Sequence, residues 1–159
     1  MKKYRRPFPF MSVLLFILLL PAACNSNLPS EFTRNQKLWE ANHLTDYNFT
    51  LQRNCFCPED RRGPVDIQVR KNATISIIFT ESGVTANPDF FSDVDTIDEL
   101  FGVLKNAHMD KAVQVDVTYD ATYGYPQSIY IDVSKEIADE EQGYTVSNLQ
   151  VIHIFGNPK

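Results

Sequence analysis

The sequence predicts an α+β fold: a two-layer domain in which an antiparallel sheet of about six strands carries two helices on one face. Three observations predict it. Several stretches alternate apolar and polar residues with the period of a strand that has one wet face. Two stretches begin at capping-box spacing and lead into apolar residues. The predicted order is one helix and three strands, then the same again, so a helix–three-strand unit occurs twice, over residues 34–88 and 96–155.

Thr33 and Gln36 stand at capping-box spacing and predict a helix from Arg34 to Leu44, carrying Leu38, Trp39 and Ala41. Tyr47, Phe49 and Leu51 then alternate through "DYNFTLQRNCF", the first strand. Val65, Ile67 and Val69 mark the second, and Lys71-Asn72 predicts a tight turn into the third, "ATISIIFT". Gly, Pro, Asn and Asp make "ESGVTANPDFFSDVD" a loop. Thr96 and Glu99 form the second box, followed by Ile97, Leu100, Phe101 and Leu104 on one helical face. Val113, Val115 and Val117 share a face of the fourth strand; Ile129, Ile131 and Val133 share a face of the fifth. Gly124 and Pro126 in "ATYGYP" join these two as a hairpin. The last strand, "YTVSNLQVIHIF", is long enough to bend near Ser147-Asn148.

The N-terminus reads as a secretory leader. Lys2, Lys3, Arg5 and Arg6 precede the apolar run from Met11 to Leu20, and Ala22 and Ala23 lead into Cys24. A membrane-spanning helix needs about twenty apolar residues, more than this run supplies. The strongly apolar "LLFILLL" fits the general secretion route better than the twin-arginine route that "RRPF" suggests. Cys24 after Ala-Ala resembles the lipobox of bacterial lipoproteins, in which the cysteine becomes the lipid-bearing N-terminus; Pro21 departs from the usual leucine. The expected organisation is a signal peptide over 1–23, a lipid-anchored tether over 24–33, and a single α+β domain over 34–159. The expected location is a bacterial cell-envelope membrane, reached through the lipid anchor. Asn25 differs from the Asp that retains lipoproteins at an inner membrane.

Removing residues 1–23, with four basic side chains and no acidic ones, leaves 136 of 159 residues and takes the net charge from −5 to −9. That length suits one domain with a real core. That charge, with no basic cluster among aromatics, excludes nucleic acid as a partner.

Six stretches together are similar to one family of uncharacterised bacterial exported lipoproteins, a domain of unknown function numbered 6174. They are the Trp39 helix, Tyr47-x-Phe49, "CFC", "TIDELF", "VTYDATYGYPQSIYID" and "ADEEQGYTV". The block from Tyr119 to Asp132 is the most specific. The resemblance implies an acidic run, commonly Asp-Asp-Glu, where Ala138-Asp139-Glu140-Glu141 stands, and the sequence departs from it at Ala138 or by a shift of Asp139. It implies export, one domain and an α+β fold, and it brings no catalytic residues.

With Cys24 assigned to lipid, Cys55 and Cys57 remain as an even pair in a compartment that permits disulfides. Two positions apart on a strand, their Cα atoms lie about 6.6 Å apart. A disulfide tolerates roughly 4.4–6.8 Å, so modest bending closes it. So small a ring stabilises by only about 1.6 kcal/mol in the loop-entropy model. A structural lock, a redox pair and a metal clamp all remain open; the metal clamp is the weakest, because His43, His108 and His153 are scattered. Asp116, Asp120 and Asp132 with Asp139, Glu140 and Glu141 offer oxygen ligands, but without the EF-hand order that calcium loops show. No nucleophile motif, zincin motif or phosphate-binding glycine loop is present. The sequons at Asn48 and Asn72 are read as chance.

No cofactor and no metal is therefore expected. The function expected is a non-enzymatic binding or envelope-associated module for an unknown protein or small ligand. The alternative is thiol-redox or metal handling at Cys55 and Cys57. Tyr119, Asp120, Tyr123, Tyr125, Asp132, Asp139 and Glu140 are the candidate contact surface, because exposed aromatics beside a charged loop often anchor partners.

Overall fold

Strand periodicity in the sequence becomes a single sheet in the computed structural model, which describes residues 28–137 and 139–153. The strands are β1 (Tyr47–Asn54), β2 (Val65–Arg70), β3 (Ala73–Phe79), β4 (Gln114–Tyr119), β5 (Pro126–Asp132) and β6 (Gln142–Val151). All neighbours pair antiparallel, in the order β3-β2-β1-β6-β5-β4. Helix α1 (Ser30–Ala41) precedes β1, and helix α2 (Ile97–Met109) lies between β3 and β4. The expected signal peptide and Cys24 lie outside the described residues, as does Ala138.

The alternation works as read. Tyr47, Phe49 and Leu51 are buried, as are Val65, Ile67, Val69, Ile129, Ile131, Tyr144 and Val146. Asn48, Thr50, Asp66 and Gln68 occupy the intervening positions. Each fully buried Leu, Ile, Val or Phe contributes roughly 1.5–3 kcal/mol. Lys71 and Asn72 take φ of 51° and 62°, the paired left-handed residues that a two-residue hairpin requires. The bend expected in the last strand is a shift of register against Asn48 and Thr50 of β1, with Asn148 at φ 55°.

Helix α2 begins as the box dictates. Thr96 Oγ1 accepts from the Glu99 amide at 3.2 Å, and Glu99 Oε2 accepts from the Thr96 amide at 3.1 Å. Ile97, Leu100, Phe101 and Leu104 are all buried, and the helix packs against β4 and β5. The start of α1 corrects the expectation of a box at Thr33. The helix begins at Ser30 after Pro29, without a side-chain cap, and ends at Ala41. Thr33 is already inside it, and its hydroxyl donates back to the Pro29 carbonyl at 3.3 Å. Two further expectations shift at strand ends: Val113 precedes β4 and Val133 follows β5, and both are exposed.

Phe32 and Trp39 of α1 join α2 and the buried side chains of the sheet in one apolar cluster. The rings meet edge-on: Phe32 against Phe101 at 5.8 Å, and Trp39 against Tyr47 at 5.4 Å. The 80–96 loop adds Ala86, Phe91 and Val94, with Phe91 edge-on to Phe79 at 6.4 Å. Among the described residues no helix is long and apolar enough to cross a membrane.

Candidate functional site

The end of the sheet beyond β1 gathers most of the chemistry. Strand β1 stops at Asn54, so the cysteines sit in a bend rather than on the strand. Cys55 and Cys57 stand at disulfide distance with Cα atoms 5.3 Å apart, closer than an extended strand would hold them. Between the two half-buried cysteines Phe56 is 83% exposed. It is the most exposed of the large apolar side chains among the described residues.

Two clefts flank Phe56. One, of about 350 Å³, is lined by Arg53, the two cysteines, Asp93, Glu140 and Tyr144 among others. Arg53 is its buried centre: the side chain is only 13% exposed. Its Nη2 donates to Asp93 Oδ1 at 2.6 Å and its Nη1 to the Phe90 carbonyl at 3.2 Å. Its guanidinium also lies 5.8 Å from the Phe91 ring centroid and 5.6 Å from that of Tyr144. Arg61 covers the Phe90 ring at 4.3 Å. Arg53 Nε and Glu140 Oε1 are buried without a hydrogen-bond partner among the described residues. Buried polar atoms of this kind are rare.

The second cleft, of about 470 Å³, runs from Phe56 to Tyr130 on β5, with Asp139 and Glu141 in its wall. Its floor is Gly143, which pairs with Asn54 on one side and Tyr130 on the other. The glycine is buried beside the Asn54 side chain, whose Cβ would lie 3.2 Å from a Cβ added at Gly143. The Tyr130 hydroxyl is pushed up by desolvation and then by the negative charge of Glu141, Asp132 and Asp116. Asp132 also accepts from the Ser134 amide at 3.1 Å, which fixes it beside the strand end.

The residues singled out from sequence divide between two places. Asp139 and Glu140 join the cysteines at these clefts, and Asp132 stands beside Tyr130. Tyr119, Asp120, Tyr123 and Tyr125 lie at the β4–β5 hairpin, which packs on α1. Tyr125 is buried at 7% exposure and edge-on to Trp39 at 6.5 Å; Tyr119 stacks on Phe101 at 6.3 Å. Asp120 Oδ1 accepts from the Thr122 and Tyr123 amides at 2.9 and 2.7 Å, closing the turn. His108 packs edge-on to Phe32 at 6.0 Å, and burial pushes its pKa down. Among the described residues no group of three or more His, Cys, Asp or Glu is placed to hold a metal ion. Sequence reading missed Phe56 and the buried role of Arg53.

No curated protein and no solved structure matches the chain. One family model does, over residues 31–151, from the first turn of α1 to the end of β6. The chain belongs to that family, the family of unknown function DUF6174.

Proposed function

We propose that the protein is an exported lipoprotein, held at a bacterial envelope membrane by acyl chains on Cys24, and that it is a non-enzymatic binding module. The leader and the lipobox-like "AAC" support export and anchoring. In this reading the domain is two-layered, with both helices on one face and the other face free, and the single shared core cluster supports it. Its contact surface is the Phe56 end, with Asp132, Asp139 and Glu140, while Tyr119, Asp120, Tyr123 and Tyr125 serve packing and the turn. One observation carries this most: the Phe56 ring, between the bonded cysteines, is 83% exposed and borders two clefts.

A photo-crosslinking residue placed at position 56, in the protein expressed in its native envelope, tests the assignment. A defined covalent adduct is expected there and not from position 75 on β3, where Ile75 is also exposed. No adduct at 56, or the same adduct at 75, overturns the site. The intact mass of membrane-purified protein tests the anchor: a chain starting at Cys24 with added acyl mass is expected, and any other start overturns it.

A thiol-redox role is the second reading, favoured by Arg53 and Arg61 beside the cysteines in one cleft. Such cations lower a thiol pKa and promote exchange. Thiols that alkylate without prior reduction in native samples would favour it over the lock.

A further inference from the structure

We propose that the corner of the domain formed by Met109, Val113, Val133 and Ile137 rests on the surface of the bilayer that holds the acyl chains of Cys24. The inference rests on the lipid anchor proposed above and is separate from the contact surface at Phe56.

The apolar side chains come first. Eight large apolar side chains are exposed among the described residues, and four of them fall in the two turns of this corner. Single exposed apolar residues need no explanation, whereas a gathered set marks a contact. The topology gathers these. Strands β4 and β5 pair as far as Gln114 and Asp132, so Val113 and Val133 stand opposite each other one step beyond. By strand alternation they lie on the same face as Val115 and Ile131, the face that carries the core. Met109 ends α2, and the Ala112 amide donates to the Ala107 carbonyl at 3.0 Å, which turns the helix end onto the start of β4. Ile137 sits in the turn after Val133, its amide donating to the Ser134 carbonyl at 3.5 Å.

The tether indicates what lies opposite. Leu28 packs against the apolar core, and Pro29 lines a small cleft with His108 in the last turn of α2 and Val115 of β4. The chain therefore leaves the domain beside this corner. Only four links separate Leu28 from Cys24, and fully extended they reach about 14 Å. A domain of this size is roughly 30 Å across. An acylated Cys24 thus keeps this corner near the bilayer in every orientation of the rest. Held there, the apolar side chains meet the interface at high effective concentration, so even shallow insertion is populated. Charge permits the approach. The chain as a whole is acidic, but here exposed Lys111 and Lys135 stand beside exposed Asp110 and Glu136 and balance them. Lysine stems can also lie along apolar surface while their ammonium groups reach the headgroups.

The test uses the full lipidated chain, purified from its membrane and reconstituted in phosphatidylcholine vesicles that include a phosphatidylcholine with a diazirine in one acyl chain. Irradiation and peptide mass mapping then locate the segments that touch lipid. Label in 109–113 and 133–137 is expected to exceed that around Ile75 and Val84 about fivefold, because apolar insertion and not mere exposure sets it. Those two residues are as exposed as Met109 but lie on and just after β3, the opposite edge of the sheet. Met109→Gln with Val133→Asn is expected to lower the label at Val113 and Ile137 about threefold, as binding follows the apolar area inserted. Unfolding midpoints check that this variant folds, and Ile137→Asn replaces it if it does not. An unlabelled corner, or label spread evenly over the domain, overturns the proposal while the anchor stands. So does parental labelling in the folded variant. A chain that is dimeric in detergent, and monomeric once the corner is substituted, overturns it in favour of a second copy. A mass without acyl groups on Cys24 removes the anchor itself, and this inference with it.

Discussion

The Trp39 indole N–H donates to the Asp98 carboxylate at 3.0 Å, tying the last turn of α1 to the first turn of α2 across 59 positions of sequence. The same ring is edge-on to Tyr47, whose hydroxyl accepts from the Ile97 amide at 3.2 Å. The Tyr47 hydroxyl thus satisfies a free N–H at the start of α2 from outside the helix, in addition to its own capping box, while the indole anchors a first-turn side chain.

Trp39→Phe is expected to cost about 1.5 kcal/mol, because it keeps the ring but removes a hydrogen bond to a charged acceptor. Trp39→Ala is expected to cost roughly 3–5 kcal/mol, as a large core truncation does. Urea unfolding followed by circular dichroism measures both. If the phenylalanine variant is as stable as the parent, the bond to Asp98 contributes nothing.

Stability is expected to fall as pH rises from about 5 towards 7. The Glu99 carboxyl is pushed up to about 7, by burial first and then by its neighbour Asp95. Its folded pKa lies above its unfolded one, so the folded state binds the extra proton and loses that advantage as the proton leaves. Glu99→Gln keeps the acceptor for the Thr96 amide and removes the charge. Its melting temperature should exceed the parent's at pH 8, with the gap closing at pH 4. An equal gap at both values would remove Glu99 as the cause.

Two glycines should respond in opposite directions. Gly124 has φ of +80°, and a Cβ there would meet the Asn35 carbonyl oxygen at 2.5 Å and Leu38 Cβ at 3.0 Å. Gly124→Ala should therefore cost about 2–3 kcal/mol, combining left-handed strain with the clash against α1. Gly102, inside α2, has nothing within 4 Å of its added Cβ. Gly102→Ala should stabilise by roughly 0.5–1 kcal/mol. Denaturant midpoints of the two variants give the comparison directly.

Replacing Cys55 and Cys57 by serine together should cost only about 1.6 kcal/mol, because the closed ring is so short. The fold, seen by circular dichroism, should survive, while crosslinking at position 56 should decline as Phe56 gains freedom. Complete unfolding of the double variant would show that the bond holds more than its own bend.

Elements whose local signals agree with one another were legible in the sequence. At α2 the Thr96–Glu99 box and the spacing of Ile97, Leu100, Phe101 and Leu104 give the same boundary, and the helix stands there. At α1 the signals conflict. Thr33 and Gln36 imitate a box inside a helix whose true start, Pro29, has no side-chain cap to find. The site was half legible. The cysteine pair and the acidic residues are visible as letters, but their meeting depends on β6 returning beside β1. Arg53 occupies an inward strand position and reads as an ordinary surface cation until Phe91 and Tyr144 are seen around it.

The pairing of β1 with β6 has a consequence for biosynthesis. Leu51 cannot meet Val146, nor Tyr47 meet Val151, until nearly the whole chain has left the ribosome. Until then the β1–β2–β3 meander and the β4–β5 hairpin each present a bare ladder edge, and such edges invite association with other chains. A premature stop or proteolytic cut before Gln142 would leave both edges permanently open. The last strand made is therefore the one that turns two sticky halves into a finished sheet.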